Sequence, residues 1–386
     1  MNWKVPFFDL QLGIEEKNAV LSVLDSNWLT AGPRISEFED KFSNAIGEGT
    51  YSVAVSSATA ALHLSLIALN IGPGDEVIVP SLTFVACANV IKYVGAIPVF
   101  ADISSSSDWN ISLADVKNKI TSNTKAIMAV HFAGYPCDLD GLQKLACSQN
   151  IHLIEDCSHA PFAKYQNKPV GTFGAIGCFS FFSNKNMTTG EGGMVLTKSK
   201  EIWDRIRVLR SHGISSSTYQ RFKGHSYDYD VSAIGYNYRL DEIRAAIGIE
   251  QLKKVHCYQE IRRHLTFTYK ELIKHLLPSV IVPFANHSGD SAFHIFPILL
   301  PLNLSKRDHV IKLMAEAGIQ CSMHYRPIHT FTAYKGVKAF VPVTDSISDS
   351  ILTLPLFPGL KEGQIGTVVS ALSDCIEKTL EVEKKY

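Results

Sequence analysis

The chain predicts an α/β fold in which a mostly parallel, seven-stranded sheet lies between helices and is followed by a smaller α+β domain. Two observations carry this. Between about residues 50 and 200, short β-rich runs alternate with helical patterns, as in a parallel sheet covered on both faces. After about Leu240 the pattern turns helical and then mixed. The composition, 46% hydrophobic and 19% charged over 386 residues, is that of an ordinary globular protein with a sizeable core.

Taken in order, a helix around Gly13–Leu24 is expected to join the small domain. The expected strands are Ser52–Val55, Glu76–Pro80, Ile97–Phe100, Ala126–Phe132, Ile151–Glu155, Ile176–Phe181 and Gly193–Thr197. Helical periodicity then covers Asp241 to Leu252 and Tyr258 to Leu277. A strand-like run at Ala292–Leu300 and helix-like runs at Arg307–Ala317 and Glu362–Leu380 complete the chain. The expected division is an N-terminal helical segment (1–25), a large domain (26–250) and a small C-terminal domain (251–386).

Lysine plus arginine (37) equal aspartate plus glutamate (37). No global field therefore steers the chain to nucleic acid or an anionic membrane, and any anionic ligand must be held locally. Charged residues interrupt the N-terminus before an apolar run long enough for a signal peptide, and no apolar run is long enough to span a bilayer, so the expected location is the cytoplasm. The eight cysteines contain no C-x-x-C pair. They read as small buried hydrophobes, with no metal site indicated.

In sheets of this kind, ligands sit beyond the carboxyl ends of the strands. Four polar stretches lie there. Ser56-Ser57-Ala58-Thr59 opens an apolar helix, whose unpaired first N–H groups and positive dipole end suit an anion, although a hydroxyl there also serves as a simple cap. Ser81-Leu82-Thr83-Phe84 follows the second strand. Glu155-Asp156 ends a buried strand with two carboxylates, and the second is placed to enter the crevice. A carboxylate there needs a cationic partner or caps the next helix, and a protonated pyridine nitrogen is one such partner. Finally, Lys185 follows an apolar strand in a serine- and glycine-rich turn, where a desolvated lysine can lose its proton and form an imine. No Walker loop and no dinucleotide-binding glycine motif occurs.

Together these motifs resemble the DegT-type nucleotide-sugar aminotransferases of the aspartate-aminotransferase fold. The resemblance runs from Asn27-Trp28-Leu29-Thr30-Ala31-Gly32-Pro33 through Val55–Leu62, Gly72–Val77, Pro80–Phe84, Glu155–Ala160 and Ser180–Gly193 to Gly235-Tyr236-Asn237-Tyr238-Arg239-Leu240. It implies pyridoxal 5'-phosphate as cofactor, with Lys185 as the Schiff-base lysine and Asp156 as partner of the pyridine nitrogen. Phe84 is implied to stack on the cofactor ring and His159 to lie near the ring hydroxyl. Ala58, Thr59 and Ser180 are implied to hold the phosphate, joined by Asn237 from the other subunit of a homodimer with shared active sites. Thr30, His324, Tyr325 and His329 are implied to bind substrate. The implied reaction is a ping-pong transfer of an amino group, with glutamate as donor, to a nucleotide-linked keto-sugar.

Departures from the family pattern bear on substrate. Ala58 stands where most relatives carry glycine, and Ser-Ala-Thr here, like Met323-His324-Tyr325-Arg326-Pro327-Ile328-His329, is similar to the branch that aminates C4. A 4-keto-6-deoxy sugar is the expected acceptor. The alternatives are a 3-keto-sugar aminotransferase and a non-catalytic cofactor-binding regulator. Sister dehydratases carry histidine in place of Lys185, so its presence favours transamination.

Overall fold

The structure is a computed structural model and describes residues 3–214, 229–287, 289–301 and 307–383. All seven expected strands form, as Tyr51–Val55, Glu76–Pro80, Ile97–Ala101, Thr124–Val130, His152–Asp156, Ile176–Ser180 and Gly193–Thr197. They join in one sheet, with strand order 51–55, 193–197, 176–180, 152–156, 124–130, 76–80, 97–101. Every adjacent pair is parallel except those made by Gly193–Thr197, which runs antiparallel to both neighbours.

The strands read as near-continuous apolar runs because both faces are covered. Alternate residues build two separate cores. Ala54, Ile78, Ile127, Leu153, Phe179 and Met194 pack with Phe38 and Phe42 of the helix Pro33–Ile46. Val55, Val77, Met128, Ile154, Cys178 and Val195 pack with the helices Ala58–Ala68 and Ala86–Tyr93. The helix Ala58–Ala68 is apolar almost all round, as expected of a helix wedged between the sheet and its neighbours.

The two helical stretches expected after Leu240 are one helix, Glu242–Leu276, of 35 residues. Residues 253–257 contain neither proline nor glycine, and Val255 is buried. The apolar stripe therefore drifts around the helix instead of stopping. Its first half packs Gly248 against the Phe38 ring, where an added Cβ would lie 2.6 Å from Phe38 Cζ. The second half buries Leu265, Tyr269 and Ile273 in the C-terminal core. That core surrounds the antiparallel pair Phe296–Leu299 and Ile351–Leu354 and the helices Arg307–Glu316 and Glu362–Glu383. The strand expected over 292–300 is thus shorter, because residues 292–295 turn inward toward the large sheet instead of pairing. The N-terminal helix Ile14–Asp25 lies along the long helix, with Lys254 bridging Glu15 (3.1 Å) and Glu16 (2.7 Å).

Five cysteines are buried, but Cys147 and Cys257 are exposed on helices, a correction to their reading as uniformly buried. Among the described residues no helix is long and apolar enough to cross a membrane.

Candidate active site

A cavity of about 310 Å³ opens at the carboxyl ends of the strands, between the sheet and the His324–Tyr325 pair. The fold brings nine predicted site residues to its wall: Ala58, Thr59, Phe84, Asp156, His159, Ser180, Lys185, His324 and Tyr325. They come from strand ends far apart in sequence, which the parallel topology gathers on one edge.

Ser57 caps the helix Ala58–Ala68 by accepting a bond from the Ala60 N–H at 3.1 Å. The cap leaves the N–H groups of Ala58 and Thr59 without an intrahelical acceptor, at the positive end of the dipole. Gly193 passes directly beneath this turn, where a Cβ would lie 2.6 Å from the Ala58 nitrogen. Only glycine lets strand and helix start approach so closely. Ser180, paired with Gly193 in the ladder, completes the polar rim.

The two carboxylates at the end of the strand His152–Asp156 part company. Glu155 points into the opposite core, where it accepts the N–H groups of Gly171 (2.7 Å), Phe173 (2.8 Å) and Gly174 (2.7 Å) and lies 3.3 Å from His131 Nε2. With Cys157 these two form a buried group of metal-capable side chains, but the Glu155 oxygens are already committed to the 171–174 loop. Asp156 points into the cavity. One oxygen accepts from the Ser158 N–H (2.9 Å) and the other from the Cys87 thiol (3.0 Å). Burial, and then Asp156 itself, push the Cys87 thiol well above its ordinary range, so it stays protonated and donates.

Lys185 sits in a segment closed at both ends by Phe181. The Phe181 N–H donates to Gly192 O and its carbonyl accepts from the Thr189 N–H, each at 2.9 Å. Burial pushes the lysine amine down to about 8, opposed by the negative charge of Asp156. His159 is buried, and Tyr325 Oη lies 2.9 Å from its Nε2. Desolvation, reinforced by Lys185, holds this imidazole neutral. Its other nitrogen, Nδ1, has no hydrogen-bond partner among the described residues. Phe84 leaves 55% of its surface open beside the cavity, with its ring 5.9 Å from that of Tyr325. His324 Nδ1 is 3.1 Å from Thr353 Oγ1, and burial pushes this imidazole down to about 3.

This set fits pyridoxal phosphate: an anion-accepting helix start, a carboxylate, an open aromatic face, a buried imidazole nitrogen without a partner among the described residues and a lysine of depressed pKa. Three predicted residues lie outside the wall. Thr30 and Asn237 are exposed, Asn237 next to Tyr238, whose carbonyl accepts from Ser56 N–H at 2.8 Å. His329 is engaged on both nitrogens, by Ser81 Oγ (2.6 Å) and Asp345 (3.1 Å), and braces the turn that carries Phe84. Sequence reasoning missed Cys87, Asn186 and His294. The available signal for His294 was a lone histidine inside the apolar run Ala292–Leu300.

Residues 11–373 match the DegT/DnrJ/EryC1/StrS aminotransferase family. The chain is 37% identical over 373 residues to GDP-perosamine synthase of Escherichia coli O157:H7, covering 96% of this chain and 98% of that one. It superposes with TM-score 0.89 on Helicobacter pylori PseC, an aminotransferase involved in the biosynthesis of pseudoaminic acid. That pair is 29% identical and covers 98% of this chain and 100% of the other. A Streptococcus pneumoniae protein described as a sugar aminotransferase, in its PLP form, also superposes with TM-score 0.89 at 28% identity, covering 97% and 99% of the two chains.

Proposed function

Because the chain belongs to the DegT/DnrJ/EryC1/StrS aminotransferase family, we propose that this PLP-dependent enzyme moves an amino group from glutamate to C4 of a nucleotide-linked 4-keto-6-deoxy sugar. The single observation that carries the reading is the meeting of Lys185 and Asp156 in one cavity, the amine brought down to about 8 by burial. When bound, pyridoxal phosphate supplies an electron sink for the carbon whose proton is moved.

The chain's own residues divide the work. Lys185 carries the cofactor and, once displaced by the donor amine, takes and returns the substrate proton at Nζ. An amine of pKa near 8 suits this, because both its forms are populated near neutral pH. Asp156 holds negative charge toward the ring nitrogen, and the Ser158 N–H and Cys87 thiol orient it. His159 turns its unpartnered Nδ1 to the ring oxygen. Ala58, Thr59 and Ser180 take the phosphate, and Phe84 covers the ring face. His324 and Tyr325 line the substrate side, while His329 acts through the Phe84 turn.

A homodimer completes the site in this reading, with Asn237 and Thr30 serving the neighbouring subunit. The exposed Ile234 (91%), with Val231 and Tyr229, gives the Asn237 region an apolar surface suited to burial against a second copy. Residues 26–250 act as the cofactor-binding domain, and residues 251–386, with the N-terminal helix, as the domain that closes the cavity. The reading places the enzyme in the cytoplasm. C4 is favoured over C3 by the Ser-Ala-Thr start and the Met323–His329 stretch.

The test is incubation of the cofactor-loaded protein with glutamate and a panel of nucleotide keto-sugars, read by mass. Amino-sugar product with stoichiometric 2-oxoglutarate is expected, greatest with 4-keto acceptors. Loaded protein that aminates none of them would overturn the reading.

A further inference from the structure

The lysine amine has a partner that the proposed chemistry does not yet use. Nζ of Lys185 lies 3.4 Å from Nε2 of His294. Nδ1 of the same ring is 2.9 Å from Asn186 Oδ1, and Asn186 Nδ2 donates to the Ala292 carbonyl at 2.6 Å. The direction of this chain follows from its far end. A carbonyl only accepts, so the Asn186 amide nitrogen faces Ala292 and its oxygen faces the imidazole. That oxygen also only accepts, so the ring proton sits on Nδ1. Asn186 and His294 are both buried, and desolvation, with Lys185 close by, holds the imidazole well below its ordinary range. Its Nε2 is therefore a bare lone pair aimed at Nζ. The backbone around the ring is fixed too, since Arg262 donates from Nη1 to the His294 carbonyl at 3.0 Å.

We propose that His294, locked in the Nδ1–H tautomer by Asn186, is a positioning residue for Lys185: it accepts a hydrogen bond from Nζ and holds the free amine in place between its release and its recapture. The proposal rests on the reading of Lys185 as the cofactor-bearing lysine. Of the groups around Nζ, Asp156 favours the ammonium electrostatically, while the imidazoles of His159 and His324 are held neutral by burial. His294 alone among them is within hydrogen-bonding distance of Nζ. A neutral lone-pair acceptor stabilises the ammonium more than the amine, so losing it lowers the lysine pKa.

The test follows amine reactivity in protein freed of cofactor. Trace acetic anhydride is applied across a pH series, and acetylation of Lys185 is read by peptide mass spectrometry. Wild type is expected to titrate near 8. His294→Phe keeps the ring and removes the acceptor, so the midpoint should fall by about one pH unit, roughly a tenfold loss of proton affinity. His294→Gln restores an acceptor oxygen and should recover most of that shift. Asn186→Leu frees the ring tautomer and should give a smaller fall, a result that does not depend on a His294 variant folding. Equal midpoints in wild type, His294→Phe and Asn186→Leu would overturn the proposal, as would equal falls in His294→Phe and His294→Gln. Borohydride reduction of the loaded wild type keeps the two readings apart: cofactor fixed on another lysine removes the assignment of Lys185, whereas cofactor on Lys185 with unshifted midpoints removes only the role of His294.

Discussion

Glu155 and Asp156 are neighbours in sequence and alike in chemistry, yet they face opposite sides of the sheet and serve opposite ends. Glu155 is saturated by three backbone N–H groups and His131, so its charge is spent on holding the 171–174 loop. Asp156 receives one backbone N–H and one thiol, fewer and weaker partners than a buried carboxylate can accept, and it faces open space. The pleat alone separates them, since successive side chains point to opposite faces. The difference teaches that a buried charge announces a ligand site by what it lacks. One carboxylate is complete within the chain, and the other is complete only with something bound.

The comparison can be broken from its functional side first. Lys185→Ala removes the amine that Asp156 faces, and turnover should drop by about 10⁴-fold or more while the thermal transition stays near wild type. Retained turnover would dissolve the contrast altogether. Asp156→Asn should slow turnover by about 10²- to 10⁴-fold and weaken cofactor retention, again with little change in Tm. Near-wild-type rates there would move the electron-sink role elsewhere. The mirror substitution, Glu155→Gln, should do the reverse: cofactor absorbance and kcat persist at low temperature, but urea unfolding loses about 2–3 kcal/mol because an amide N–H₂ now confronts backbone donors. If the two swaps have the same phenotype, the division of labour is wrong.

Acid sharpens the contrast further. His324 is held at about 3 in the folded chain against an ordinary 6.5, so the unfolded state binds its proton first as pH falls. Its contribution to stability is complete above about 6.5 and is lost progressively from there down toward 3. Urea midpoints measured over that window should decline, and His324→Gln should flatten the decline. An unchanged slope would show that this ring is not held neutral by the fold.

The smallest expected signal is partial recovery on mixing two inactive proteins, Lys185→Ala and Asn237→Asp. In a mixed dimer one site combines an intact lysine with an intact Asn237 from the neighbour. Absence of recovery, with subunit exchange verified by mass, would return Asn237 to its own chain or remove it from the site.

Much of this was legible in the sequence because it is local. Each of the seven strands is an apolar run, and the polar turns that follow four of them line the cavity. What was illegible depends on distant contact. Cys87 reaches Asp156, and His294 reaches Lys185, only because the sheet and the long helix bring them together. The long helix was read as two because its buried stripe changes partner near Val255, from the sheet side to the C-terminal core, and periodicity measured against one face loses the phase there. His329 carried the right residue type in the right stretch, but its two nitrogens are taken by Ser81 and Asp345, which sequence spacing does not reveal. The hairpin Ile103–Ser105 with Asp108–Ile111 carries a run of four serines, and its polar composition hid the pairing.

The closure of the lysine segment by the two backbone bonds of Phe181 has one more meaning. In the proposed cycle Lys185 lets go of its cargo and takes it up again, which calls for a fixed point of departure. Phe181 is fully buried in the core beneath the sheet, so the anchor of Lys185 is set in the packed interior. In that reading only the flexible methylene stem is left to move, and the reset is a rotation about single bonds.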